Sequence, residues 1–305
     1  VLMIRSAVTG APAFEPLPMD QVQWAVIGLV LMFMVAAIDY RIFTSAHWYI
    51  YAGLILSLII VAVAGELGND TRRWIEIPGT ATRIQPSEFG RVFIAITFAQ
   101  FLASRREHIN SFSNTILTLG YIGLPIALIF IQPDLGMTIM YVVVWFVMIW
   151  LAGLPLSHFA ILGAIGIIGI GLVFPYLQPY QRERITTFVN PAQADPEDIF
   201  NIEQAEISIG TGGLFGKGYM QGTQSQLGFL RVQHTDFIFS MLTEEMGLIF
   251  GSLIVIGLMA FILMRIIRVA QMTPDPAGKY ICVGIAAIIF FQTTVSVGMN
   301  VRLLP

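Results

Sequence analysis

Charge is scarce in this chain. Asp, Glu, Lys and Arg make up 11% of the 305 residues, while hydrophobic types make up 56%. Soluble domains carry about 25% charged residues, so this composition and a mean hydropathy of +0.77 exclude a soluble globular fold. Basic clusters are missing too, and a net charge of -3 offers nothing to a nucleic-acid backbone. Cys282, the one cysteine, sits in an apolar run and cannot close an internal disulfide. No stretch alternates strictly between apolar and polar residues, as the strands of a membrane barrel do. No His or carboxylate cluster specifies a metal site. VLMIRSAV, at residues 1–8, lacks the apolar core of a signal peptide. It reads as the tail of a membrane helix, so an incomplete first span is expected, and the chain stops at Pro305 without a polar tail.

Long apolar runs are abundant. Several reach the ~20 residues that a helix needs to cross the bilayer core, and the expected fold is an all-α, polytopic helical membrane protein. The expected spans are 21–39, 47–65, 87–104, 114–131, 135–151, 159–176, 237–264 and 279–299, in one integral membrane domain over 1–305. Arg41, then Arg105 and Arg106, then Arg265, Arg268 and Lys279 fall on alternate connections, which the positive-inside rule places in the cytoplasm. Loops 9–20, 66–86, 132–134 and 177–236 then lie outside. Arg72, Arg73 and Arg83 crowd one outer loop, and basic residues on that side are candidates for holding an anion.

The stretch 216–247, GKGYMQGTQSQLGFLRVQHTDFIFSMLTEEMG, runs from a glycine-rich loop into an apolar helix. His234, Thr235 and Asp236 stand at the join, where an ionisable group meets both water and a lipid-borne substrate. Asp236, Ser240, Thr243, Glu244 and Gly247 recur at helical spacing, and a groove along them could hold a lipid-linked headgroup. The plainer alternative makes Thr235 or Asp236 a helix cap, pairs Glu244 and Glu245 with arginines, and leaves the stripe as small-residue packing. Gly212, Gly213, Gly216 and Gly218 around Lys217 suggest backbone able to approach a phosphate, although the spacing is not that of a P-loop. A plain loop fits them as well.

Earlier in the chain, Pro86 and Ser87 suit a helix start. Glu88 and Arg91 are three apart, share a face, and can pair as a structural lock or as part of a site. Gln132, Pro133 and Asp134 break an apolar run too long for one crossing, with Asp134 placed to cap the next helix or to serve a pocket. The 177–236 loop is far longer than its neighbours, and long ordered loops usually carry function or partner contacts.

These motifs resemble the SEDS family of shape, elongation, division and sporulation proteins, to which RodA and FtsW belong. The resemblance rests on RRWIEIPG at 72–79, RIQPSEFGR at 83–91, QPDLG at 132–136, YQRERITTFVNP at 180–191, GTGGLFGKG at 210–218, GTQSQL at 222–227, HTDFIF at 234–239 and EEMG at 244–247. GTQSQL looks like the RodA branch. The family fold implies ten helices with both termini cytoplasmic, of which this chain would hold the tail of the first through the ninth. Arg91 stands where the family usually has Lys, and Ala205 where Ser is usual. Arg91 keeps the charge but changes the hydrogen-bond geometry.

The resemblance implies a peptidoglycan glycosyltransferase of the bacterial cytoplasmic membrane, active at its outer face. The 4-hydroxyl of lipid II would displace the pyrophosphoryl-undecaprenyl group of a growing strand. Asp236 matches the catalytic aspartate, and a carboxylate there can take the proton of the attacking hydroxyl. Arg83, Arg91 and Lys217 are the candidates for stabilising the diphosphate, with Glu88 positioning Arg91 and His234 beside the substrate. No cofactor is evident, although a divalent cation could share the diphosphate. A single-pass class B penicillin-binding protein is the implied partner. The rival classes are a lipid II flippase, which the lack of internal repeats disfavours, and a scaffold without chemistry.

Overall fold

The computed structural model describes residues 1–8, 16–68, 71–76, 83–173, 175, 177, 181–182, 196–227, 229–230 and 234–304. Most of the motif at 180–191 therefore lies outside the described residues. The chain is an all-α polytopic membrane protein. Its longer helices are Leu17–Ala36, His47–Ala64, Pro86–Ser104, Phe112–Ile131, Leu135–Ala152, Leu156–Val173, Pro196–Gly212, Ile238–Gly247, Ile254–Met272 and Pro276–Asn300. Each of the eight expected spans meets its helix within a few residues, except that the span begun at 237 runs on to Met272 and is interrupted after Gly247. Helix Pro196–Gly212 lies within the long loop 177–236.

One feature was not expected: Glu66–Gly68, Thr71–Glu76 and Arg83–Ile84 form a small antiparallel sheet in the loop before helix Pro86–Ser104. Among the described residues, five helices are long and apolar enough to cross a membrane by length and composition, and Leu17–Ala36 buries none of its apolar window. Side chains that face lipid need no protein cover, because acyl chains are as apolar as leucine.

The described residues pack as two units, residues 1–38, 182–262 and 292–305 in the first and 39–181 and 263–291 in the second. The second unit is built on helices His47–Ala64, Pro86–Ser104, Phe112–Ile131 and Leu135–Ala152, around Leu58, Ile94, Phe98, Ile122, Tyr141 and Met148. Gly90 admits this packing, since a Cβ there would lie 2.4 Å from the Tyr141 hydroxyl. Pro86 occupies the first turn as expected, but Ser87 does not cap it: the N-cap is Gln85, without a side-chain bond. At one end of this unit Tyr40 donates to Asp275 Oδ2 over 2.8 Å, tying the connections that carry Arg41 and Lys279 to one side. Burial would raise the Asp275 pKa, but hydrogen bonds from Tyr40 and the amides of Gly278 and Ala277 outweigh it and hold the carboxyl below its usual range. At the other end Arg73 donates to the carbonyls of Gln132 and Pro133, and Gln85 donates to Asp134 over 2.9 Å. The described parts of loops 66–86 and 132–134 thus share an end, as the alternation of the spans predicts.

Candidate functional site

The first unit is organised by a broken helix. Gly247 adopts φ 79° and ψ 177°, a conformation open essentially to glycine alone, and a π-helical stretch, Leu248–Leu253, follows it. A break inside an apolar segment frees carbonyls on one side and amides on the other, and hydrocarbon offers them no water. The loop 213–218 supplies both kinds of partner. Lys217 and Gly218 donate their backbone N–H groups to the carbonyls of Glu244 and Glu245 over 2.9 Å each. Leu248 and Ile249 in turn donate to the carbonyls of Gly213 and Leu214 over 2.9 and 3.1 Å. The glycines permit this approach: a Cβ on Gly216, at φ 82°, would lie 2.2 Å from the Glu245 carbonyl oxygen. Amides that the sequence offered to a phosphate are therefore engaged in mending the helix.

Glu244 is fully buried beneath this loop. Its Oε1 accepts from Lys217 Nζ at 2.9 Å, the Gln224 amide at 2.9 Å and the Thr223 hydroxyl at 3.2 Å, and its Oε2 accepts from the Ser225 amide at 3.1 Å. The GTQSQL segment thus wraps a carboxylate. Gly222 lets it do so, since a Cβ there would lie 2.7 Å from Glu244 Oε2. Lys217 Nζ also donates to Thr211 and Thr223 at 3.0 and 2.6 Å, which engages all three ammonium protons. The partner of Glu244 is thus a lysine, where the plainer sequence alternative had arginines. Glu245, also buried, accepts from the Ser6 hydroxyl.

The rest of the polar stripe is internally satisfied as well. Thr243 donates to the Phe239 carbonyl over 2.8 Å and lies 2.6 Å from the Ser252 hydroxyl. Ser240 donates from both N and Oγ to Asn300 Oδ1, over 3.0 and 2.6 Å. Ser240, Thr243 and Glu244 are buried, so this part of the stripe is a packed seam and not the expected open groove.

Asp236 differs from all of these. It precedes the helix in a turn over 234–237 and is exposed, with His234 half-buried in the same turn. The helix N-cap is Phe237, without a side-chain bond, so the cap position falls on neither Thr235 nor Asp236. Among the described residues the Asp236 carboxylate has no hydrogen-bond or ion-pair partner, while its backbone carbonyl accepts from Asn300 Nδ2 at 2.8 Å.

The other candidates belong to the second unit. Arg91 and Glu88 form the ion pair that their spacing predicts, at 2.9 Å. Arg91 Nη1 is buried and has no hydrogen-bond partner among the described residues. Arg83 is exposed and pairs with Glu76 across the sheet at 3.1 Å. Asp134 caps helix Leu135–Ala152 through the Met137 amide at 3.1 Å, the simpler of its two expected roles. Asn300 and Thr223 were not singled out from the sequence. Asn300 lies far along the chain from its partners, and only the placement of Thr223 inside GTQSQL could have drawn attention to it.

A family profile described as Cell cycle protein, covering FtsW, RodA and SpoVE, matches residues 1–305. Stage V sporulation protein E of Bacillus subtilis (strain 168) is 36% identical over 291 residues, 93% of this chain and 77% of that protein. Peptidoglycan glycosyltransferase MrdB of Escherichia coli (strain K12) is 35% identical over 282 residues, 92% of this chain and 75% of that protein. A solved structure described as structural coordination of polymerization and crosslinking by a peptidoglycan synthase complex matches with a TM-score of 0.79 at 25% identity, over 100% of this chain and 85% of that one.

Proposed function

The chain belongs to the FtsW, RodA and SpoVE family, and from that premise we propose how it acts as a peptidoglycan glycosyltransferase. Its substrate is lipid II, its reaction builds glycan strands for elongation and cell shape, and Asp236 is the general base. The observation that carries the role of Asp236 is its contrast with its neighbours. Ser240, Thr243 and Glu244 are buried and bonded, whereas the Asp236 carboxylate is exposed and unpartnered among the described residues. A carboxylate left in that state can accept a proton from an attacking hydroxyl.

In the reaction, the 4-hydroxyl oxygen of lipid II forms a bond to the anomeric carbon of the growing strand, and the bond from that carbon to the undecaprenyl diphosphate breaks. The hydroxyl proton passes to Asp236 and the electron pair leaves with the diphosphate. Arg91 and Arg83 stabilise that developing charge, and the unmatched Nη1 of Arg91 supports its part. Glu88 orients Arg91, and His234 lies beside the acceptor sugar. Lys217 enters this scheme only by releasing one of its present partners, Thr211, Thr223 or Glu244. A divalent cation could arrive with the diphosphate; among the described residues no group of three His, Cys, Asp or Glu is placed to hold one.

The site works at the outer face of the bacterial cytoplasmic membrane, beside a class B penicillin-binding protein that cross-links the product. The full-length protein in liposomes with purified lipid II tests the whole reading. Glycan polymer is the expected product. Lipid II carried across the bilayer without polymer would make the protein a flippase, and neither outcome would leave a scaffold.

A further inference from the structure

We propose that Asn300 is a positioning residue for the transfer reaction, holding the backbone of Asp236 in place from the end of another helix. This rests on Asp236 being the general base. Asn300 is fully buried at the last turn of helix Pro276–Asn300. Its amide makes four hydrogen bonds. Oδ1 accepts from the Ser240 amide at 3.0 Å and the Ser240 hydroxyl at 2.6 Å. Nδ2 donates to the Asp236 carbonyl and the Ser296 carbonyl, both at 2.8 Å. A side-chain amide has two lone pairs and two N–H groups to offer, so its capacity is filled.

The arrangement solves a local problem. Helix Ile238–Gly247 begins at an apolar N-cap, Phe237, which cannot bond the free amides of the first turn. Asn300 accepts from the third of them, the bond a polar N-cap would make, and so caps the helix from outside it. With its other end it grips the residue before the cap, Asp236. The catalytic side chain stays free because a different residue supplies the cap. A buried amide fixed at four points has few alternative positions, and displacement of a reacting group by about 1 Å can cost on the order of 100-fold in rate.

Aspartate separates the two tasks. A carboxylate at position 300 still accepts from Ser240 and suits a helix N-terminus, but turns an oxygen toward the carbonyls of Asp236 and Ser296. The test uses the full-length protein with lipid II, with Asn300→Asp, Ser240→Ala and Asp236→Asn in parallel and rates normalised to folded protein. Asn300→Asp buries a carboxylate and should melt at a lower temperature. Per folded molecule it should lose roughly 10- to 100-fold in kcat with KM unchanged. Ser240→Ala, which keeps the backbone amide bond to Oδ1 and three of the four anchors of Asn300, should lose less. Asn300→Ser, which can accept from the Ser240 amide but cannot donate to both carbonyls, should show the same split if the aspartate variant does not fold. Parental kcat in a folded Asn300 variant overturns the positioning role, as does a loss carried by KM alone. An active Asp236→Asn overturns the general-base role instead, whatever the Asn300 variants do.

Discussion

Lys217 Nζ lies 2.9 Å from Oε1 of Glu244, a carboxylate with no exposure to solvent. The pair joins the glycine-rich loop to the helix that loop mends. Burying a carboxylate is costly unless it is paired and hydrogen-bonded, and Glu244 has four donors around it. Lys217 is therefore engaged in holding the fold before any substrate arrives.

Lys217→Met leaves Glu244 buried without its cation. Removing one partner of a buried pair costs about 3 to 5 kcal/mol, so the variant should unfold at a lower temperature in detergent. Lys217→Met with Glu244→Leu should recover part of that loss. A thermally stable Lys217→Met with weakened substrate use would instead assign the ammonium to the diphosphate.

Gly247→Ala places a Cβ 2.3 Å from the Gly216 amide nitrogen at a φ of 79°. Strain at such a backbone conformation alone is about 1 to 3 kcal/mol, and the clash adds to it. Folded protein recovered from membranes should fall sharply. A well-folded alanine variant would mean the break tolerates an ordinary helical residue.

Arg91→Gln removes both the partner of Glu88 and the unmatched donor, Nη1. The variant should insert normally and use lipid II less well. Arg83→Gln should show the same direction with a smaller effect, because Arg83 is exposed and, among the described residues, tied only across the sheet. Unchanged turnover in both would leave these arginines to topology and packing.

Asp236→Asn should insert and fold as the parent does, since the side chain caps nothing. An amide has no useful affinity for the proton, and loss of a general base typically lowers rate by about 10²- to 10⁴-fold. Gel analysis of glycan products should show almost no polymer. Polymerisation at the parental rate would remove Asp236 from the mechanism.

Residues close in sequence were legible before the structure. Helices from His47–Ala64 through Leu156–Val173 fell where apolar run lengths put them, because bilayer thickness is a constraint along a single axis. The Glu88–Arg91 pair and the Asp134 cap followed from spacings within one helical turn. The two-ended grouping of loops was readable from alternating arginines, and the motif sequences carried the resemblance to the family whose profile matches the chain.

What the tertiary structure decided was the fate of each polar group whose partner lies far along the chain. Helical spacing put Ser240, Thr243 and Glu244 on one face but could not say whether that face was open, because that depended on Asn300, Ser252 and Lys217. The glycines of 212–218 fit a phosphate cradle or a plain loop equally well until the carbonyls of Glu244 and Glu245 were found beneath them. Asp236 was marked by sequence as an ionisable group at a membrane edge; that it is no helix cap rests on Phe237 and Asn300. Periodicity records which residues share a face, whereas pairing across a fold depends on three-dimensional proximity between segments that the linear order leaves unspecified.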